Sequence, residues 1–357
     1  MSMYERWLLF CNKIVTPPAQ FIGLAVVAST TIFIARHAFL TFSSLEPSPK
    51  VYSATPKKIK EWGGNTTEVL VGLHINNFPE FDIVKNLFTV DAIIWFEFDP
   101  ALVSLETIEK FSFDKGDIVK KTTSDTKVIE GKFFAQFNIT VKFTTNLLFN
   151  MFPLDDHRIY LTLTNKFVSP SEMVHKSLLS GFTLSEDMFI AGWRVVDRNV
   201  FTGYSEAYLD AGDAKKVVLN PKVVFSIDFK RFGSQRIFLI FMPIFLMFFI
   251  GILSFSFDPT KEHRLVMSLS LGAVTAMLSY RFVIQGMSPQ TGYFLLSDHI
   301  FTLFLGLAFL CFILDVIFMS QEVLGIHLVE LRAMALIFFY SSILIAWYYF
   351  IYIWGRG

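Results

Sequence analysis

The chain has 357 residues, enough for one large domain or two ordinary ones. Hydrophobic residues make up 53% of it and charged residues only 17%, outside the usual soluble balance. Thirty-one basic residues offset thirty-one acidic ones, so nothing in the charge suggests the basic face of a nucleic-acid binder.

The apolar excess is concentrated in residues 17–42 and from residue 237 onward, and the stretch between reads like a soluble domain. Residues 21–42 form a first apolar run, open to two readings, a cleaved signal peptide or a retained anchor. The preceding segment, with Arg6, Lys13 and Pro17-Pro18, is long for a signal peptide and favours the anchor. Either way, the domain that follows is expected outside the cytoplasm.

Residues 60–235 alternate apolar and polar side chains over short runs, the period of half-buried strands. Ile159, Leu161 and Leu163 alternate with Tyr160, Thr162 and Thr164; Phe225, Ile227 and Phe229 alternate with Ser226, Asp228 and Lys230. Residues 69–75, 88–98, 133–137, 138–143, 189–196 and 217–219 supply further strands. No helix-length amphipathic run interrupts them, which predicts an all-β, immunoglobulin-like antiparallel sandwich with a phenylalanine-rich core.

Chemistry-bearing patterns are sparse. There is no nucleophile elbow, no glycine-rich phosphate loop and no paired metal-ligand spacing among the seven histidines, so neither an enzyme nor a cofactor or metal site is expected. Asp155-Asp156-His157-Arg158 reads as a polar turn before a strand rather than a metal or acid–base cluster. Cys11 and Cys311 are too differently placed to predict a disulfide. Asn65-Thr66-Thr67 and Asn138-Ile139-Thr140 match the glycosylation pattern, as short sequences do by chance.

Four runs long enough to span a membrane follow: 237–257, 265–286, 300–319 and 333–354. Lys261 and Arg264 lie in the first connection, whereas the connection 287–299 has neither Lys nor Arg. That asymmetry puts the first connection in the cytoplasm. The expected organisation is therefore an N-terminal anchor or signal segment over 1–45, an extracytoplasmic sandwich over 60–235 and a four-helix membrane domain over 236–357.

The second of these spans carries a polar stripe. At about 100° per residue, Arg264, Gly272, Thr275, Ser279 and Phe282 all fall within about 40° of Ser268. Polar groups inside a membrane face either a bundle interior or a water path, and small ones also serve as helix-packing contacts. Periodicity alone leaves both readings open.

The order of parts resembles the pentameric ligand-gated ion channels, the Cys-loop receptor superfamily, in its prokaryotic form, over roughly residues 60–355. Val71–Asn77 through Phe88–Ala92, with Glu80-Phe81-Asp82 as an acidic turn, is similar to the first two strands of that family. Phe152-Pro153-Leu154-Asp155 is similar to the core of its signature loop, without the flanking cysteines. Phe189–Trp193 looks like the strand carrying its Gly-Trp, Phe229-Lys230-Arg231 like the basic end of the last strand, and Pro289–Tyr293 like the loop between the second and third helices.

The resemblance implies a homopentamer in the lipid bilayer that passes inorganic ions when a small ligand or protons act on it, with Arg264, Ser268, Gly272, Thr275, Ser279 and Phe282 lining the pore. It implies coupling through Glu80 and Asp82, through Phe152, Pro153 and Asp155, and through Pro289 and Tyr293, with Arg231 bridging to the acids. The chain also departs from the family pattern. The stretch between Asp99 and Lys132 is short and lacks the Trp-x-Pro binding segment, leaving Trp193 and a loop with Tyr204 and Tyr208 as candidates for one wall of a ligand site. Thr275 stands where Leu or Ile is usual at mid-pore, so Phe282 is the candidate gate. Arg264 at the cytoplasmic mouth favours anions, unless Glu262 turns inward. Asp315 in the third span is a candidate proton sensor or a hydrogen-bonding partner of a neighbouring helix. A non-conducting, membrane-anchored binding or scaffold protein is the alternative reading.

Overall fold

The computed structural model describes residues 3–82, 85–210, 213, 216–232, 235–320 and 328–353. Two helices come first, α1 (Met3–Ile14) and α2 (Pro17–Leu40), then a short α3 (Pro56–Glu61). Strands β1 (Thr67–Asp82) and β2 (Leu87–Phe98) follow, then α4 (Leu105–Glu109), β3 (Phe111–Asp114), β4 (Gly116–Lys121), β5 (Asp125–Ile129) and β6 (Lys132–Thr144). Next are β7 (His157–Asn165), β8 (Met173–Lys176), β9 (Phe182–Leu184), β10 (Trp193–Tyr208) and β11 (Val217–Arg231). The chain closes with α5 (Gln235–Leu253), α6 (His263–Met287), α7 (Leu296–Met319) and α8 (Leu328–Tyr348).

These elements form two compact units. One comprises Met1–Ser43, Phe149–Asp155 and Gly233–Gly357; the other comprises Ser44–Leu148 and Asp156–Phe232.

In the second unit the described strands join one eleven-stranded sheet, in the order β10-β11-β7-β3-β4-β6-β2-β1-β8, with β5 on β6 and β9 on β1. The alternation expected along residues 88–98 is complete: in β2 every second residue is buried. The sheet turns over on itself. β1 and β11 are far apart in strand order, yet Phe78 lies 5.6 Å from Phe229, and Phe182 on β9 lies 5.0 Å from Phe225. Strand interiors thus meet in one phenylalanine-rich core. Gly72 is required there because it pairs with Trp95, and a Cβ on it would stand 2.1 Å from the indole ring.

The structure corrects several boundaries. Residues 133–143 are one strand rather than two, and 217–229 belong to a single β11. Ile190 bridges to Trp193 across a turn at 191–192, with Gly192 at φ +79°, and β10 begins only at Trp193. Tyr204 and Tyr208 lie in β10 and not in a loop. Glu80-Phe81-Asp82 is the paired end of β1, opposite Thr89, Phe88 and Leu87, and not a turn. Strands β3, β4, β5, β8 and β9 are too short to have shown a period.

Among the described residues the first unit has five helices long and apolar enough to cross a membrane: α2, α5 with its short 3-10 extension, α6, α7, and α8 with its π-helical end. They mark the chain as a membrane protein. The last residue of the fourth predicted span, Trp354, and most of the 320–332 connection lie outside the described residues. α6 packs against α5 and α7. The α5–α6 approach is close at Gly251, where a Cβ would come within 3.2 Å of Ala273 Cβ. α1 and α2 pack on α8, and α2 also touches α5. Gln20 is the join: its side chain caps Ile14 O at 3.0 Å and accepts the Tyr340 hydroxyl at 2.7 Å. Cys11 and Cys311 are both buried and free.

One core residue makes the sheet unit acid-sensitive. His175 on β8 is fully buried, its Nδ1 has no hydrogen-bond partner, and burial pulls its pKa from 6.5 down to about 4. The unfolded chain takes up this proton near pH 6.5 and the folded chain only near 4. Stability is therefore lost as pH falls through that window, by about 3 kcal/mol in total. Denaturant unfolding at pH 7 and pH 4.5 should show His175→Gln losing about 2 kcal/mol less than the parent over that interval, most of the total.

Candidate functional site

The polar stripe of α6 decides the first question. The helix is buried along Val266, Ser270, Ala273, Met277 and Ile284. Arg264, Ser268, Gly272, Thr275, Ser279 and Phe282 are all exposed, Phe282 to 77%. The packing reading fails for these positions within one chain. Ser270 is the hydroxyl that is packed, and it donates to Val266 O at 3.1 Å. Thr275 and Ser279 return their hydroxyls to Leu271 O and Thr275 O at 2.9 and 3.0 Å, which leaves their oxygen lone pairs on the open face. At one end of α6, Arg281 pairs with Asp298 of α7 at 2.5 Å, on the side away from the stripe.

The loop Phe149–Asp155 and the α6–α7 connection come together. Tyr293 accepts the Phe149 amide on its hydroxyl at 2.9 Å. The Leu296 and Ser297 amides, at the start of α7, donate to Asn150 O and Phe152 O at 2.8 and 3.1 Å. Phe152, Pro153, Asp155 and Pro289 are buried, and the Phe152–Pro153 peptide is cis. The loop is thus joined to Tyr293 through its hydroxyl and to the first turn of α7 through main-chain bonds, which side-chain motifs do not foretell.

The remaining coupling candidates sit in the sheet unit. Glu80 accepts from the Thr89 hydroxyl at 3.4 Å, and Asp82 is paired with Lys85 at 2.8 Å. Arg231 gives its amide to Asp156 Oδ1 at 3.0 Å and lays its guanidinium over the Trp193 ring at 4.3 Å. In the polar segment 155–158, His157 bonds Glu46 and Arg158 forms a bidentate pair with Asp228 at 2.5 and 2.6 Å. Among the described residues no cluster of three or more His, Cys, Asp or Glu could hold a metal ion.

The aromatic ligand wall is not assembled within one chain. Trp193 and Tyr204 are eleven residues apart on one extended strand, about 36 Å at the usual rise. Trp193 packs with His157 and Phe81, whereas Tyr204 is buried against Tyr52 and Trp62, and Tyr208 is exposed. Asp315 is buried in α7, facing the Ser254 and Ser270 side chains from the α5 and α6 side, with Oδ2 lacking a hydrogen-bond partner.

Sequence reasoning missed Glu46. Its segment crosses the sheet edge, where Tyr52 exchanges backbone bonds of 2.9 Å with Tyr204. Gly203 permits this, since a Cβ there would lie 2.1 Å from Tyr52 O. The Glu46 carboxylate, 4% exposed, accepts from the Leu148 amide at 3.4 Å and the Arg158 amide at 3.2 Å, and bonds His157 Nδ1 at 2.6 Å. It also takes the Ser44 hydroxyl at 2.5 Å. Burial raises its pKa, but the bonds from His157, Ser44 and Arg158 outweigh that and hold it below the ordinary value. One carboxylate therefore ties both stems of the 149–155 loop. The only sequence signal was a lone acid in a Ser/Pro-rich stretch.

No family model matches the chain, and no curated protein sequence matches it.

Removing the Glu46 carboxylate takes one acceptor from the Leu148 amide, the Arg158 amide and the His157 ring, at a cost of about 1–3 kcal/mol for each group left unserved. Glu46→Ala should therefore speed hydrogen exchange at the loop amides of Phe152 and Leu154, which bond Phe149 O and Met151 O. Glu46→Gln, which keeps one acceptor oxygen, should fall between the two.

Proposed function

We propose that this chain is the subunit of a homopentameric ion channel of the Cys-loop receptor type, with α6 lining the pore. The supporting observation is the rotation of α6: its hydroxyl-bearing stripe is the side that its own helices leave uncovered. The hydroxyl lone pairs left on that face gain nothing from lipid, whereas a water path suits them. Five copies around an axis would turn that stripe onto shared water. The 25 residues of α6 cover about 37 Å, more than the ~30 Å hydrocarbon core.

In this reading the curled sheet is an immunoglobulin-like sandwich outside the cytoplasm, α5–α8 are the four-helix membrane domain, and α2 is an additional span. Arg264 stands at the cytoplasmic mouth and favours anions. Ser268, Gly272, Thr275 and Ser279 keep the middle wet, and the exposed Phe282 ring forms the hydrophobic constriction nearer the outer mouth. The bonds between the 149–155 loop and the start of α7 give the loop a grip on the helices, and the Glu46 tie fixes the loop stems. Motion of the stems would then reach α6 through its connection to α7. Asp315, facing two serines, fits a helix-to-helix hydrogen bond better than a sensor open to solvent.

Reconstitution in liposomes under ionic gradients tests this. Flux should be measurable, with particles of five-fold symmetry. Phe282→Ala should raise resting conductance several-fold, Thr275→Leu should lower it, and Arg264→Gln should move the reversal potential toward cations. Cysteine at Ser268 or Ser279 should be modified by a water-borne thiol reagent in the assembled protein, and cysteine at Ala273 should not. Absence of flux together with sealed positions 268 and 279 would favour the non-conducting scaffold.

A further inference from the structure

The helical unit holds a cavity of about 440 Å³ between α2, α5 and α8, within the ~300–1,000 Å³ typical of small-molecule sites. Val27, Ala28, Phe241, Phe245 and Ile343 form much of its wall. It opens sideways past Ile32, Phe238, Met242 and Leu246, all exposed, where a membrane helix meets acyl chains.

Only three lining residues are polar, and one of them is already used. Tyr340 donates to Gln20. The other two are Thr31 and Trp347, 8% and 4% exposed, whose Oγ1 and Nε1 have no hydrogen-bond partner. Thr31 contrasts with its neighbour Thr30, which returns its hydroxyl to Val26 O at 2.8 Å. Water does not serve such groups in hydrocarbon, so leaving both unpaired is costly. The two are close along the helices. α2 and α8 run in the same direction, since α1 lies against the start of α8 and Gln20 meets Tyr340. From that join Trp347 is about 10 Å along and Thr31 about 17 Å, little more than a turn apart.

An indole N–H only donates, and a threonine hydroxyl both donates and accepts. One neutral oxygen placed within reach of both would serve both. A carboxylate or phosphate head does not fit, because no cation among the described residues lines the cavity and a buried unpaired charge is prohibitive. We propose that this cavity binds an uncharged amphiphile drawn from the bilayer, an alkyl chain bearing one hydroxyl or carbonyl oxygen, with Trp347 and Thr31 holding that oxygen. The site stands whether or not the chain conducts.

Photolabelling of the full chain with a diazirine-bearing decanol, and with the matching decane that lacks the oxygen, tests this. Adducts of the alcohol should map to α2, α5 and α8 and exceed those of the alkane by about three- to tenfold. Thr31→Val, nearly isosteric, should remove about threefold of that excess, Thr31→Val with Trp347→Phe should abolish it, and Ala28→Trp should block labelling by filling the space. Equal signal in detergent and in phosphatidylcholine vesicles would identify a free alcohol as the natural occupant. Suppression in vesicles would identify the ester carbonyl of a bilayer lipid. Equal labelling by alcohol and alkane, or adducts indifferent to Thr31→Val and Ala28→Trp, would overturn the proposal.

Discussion

The rotation of α6 about its own axis is the constraint on which the functional reading depends. That rotation is set by close packing. Gly251 of α5 and Ala273 of α6 are small enough to bring the two backbones together, and Ser270 next to them is fully buried with its hydroxyl returned to its own helix. Between membrane helices there is no hydrophobic drive, since lipid is as apolar as a side chain, so contact follows wherever small residues allow dense packing. Once that seam is buried, the opposite face is determined. The side with Ser268, Thr275 and Ser279 must point away, and so must Phe282.

A second constraint acts at the loop 149–155. Its main chain is held at the tip by Tyr293 and the first amides of α7, and at the stems by one carboxylate. A buried acid that accepts several bonds is a rigid joint, because each bond lost exposes a group with no water to replace it. Backbone groups hold the tip and one glutamate holds the stems, with no disulfide among the described residues. Glu46 comes from the segment after α2, so the N-terminal part contributes to the sheet as well as to the helices.

The integration of α2 has the same character. Gln20 is a polar residue at the end of an apolar helix, and it is buried because it has three bonds to make: one to Ile14 O and two with the Tyr340 hydroxyl. Gly23 lets the Tyr340 ring come close, since a Cβ there would stand 3.0 Å from it. The space left above this join is the cavity with its two unserved polar atoms.

The sequence by itself determined whatever a period or a run length can encode. Five apolar segments announced five long helices, and alternation announced β2, β7 and β11; in β2 burial on one face writes itself into every second residue, whereas β11 is buried on both faces from Pro221 to Lys230. The stripe on α6 was equally legible, although whether it was packed or open was not, since that depends on which neighbour reaches the small residues first. Tertiary structure alone decided the rest. Strands of three to six residues carry too little pattern to be read. Trp193 and a loop with Tyr204 read as candidates for one wall, yet a continuous strand holds the two residues far apart. The roles of Glu46, Gln20, Thr31 and Trp347 arise from contacts between segments distant in the chain, and a contact of that kind leaves no mark in local composition.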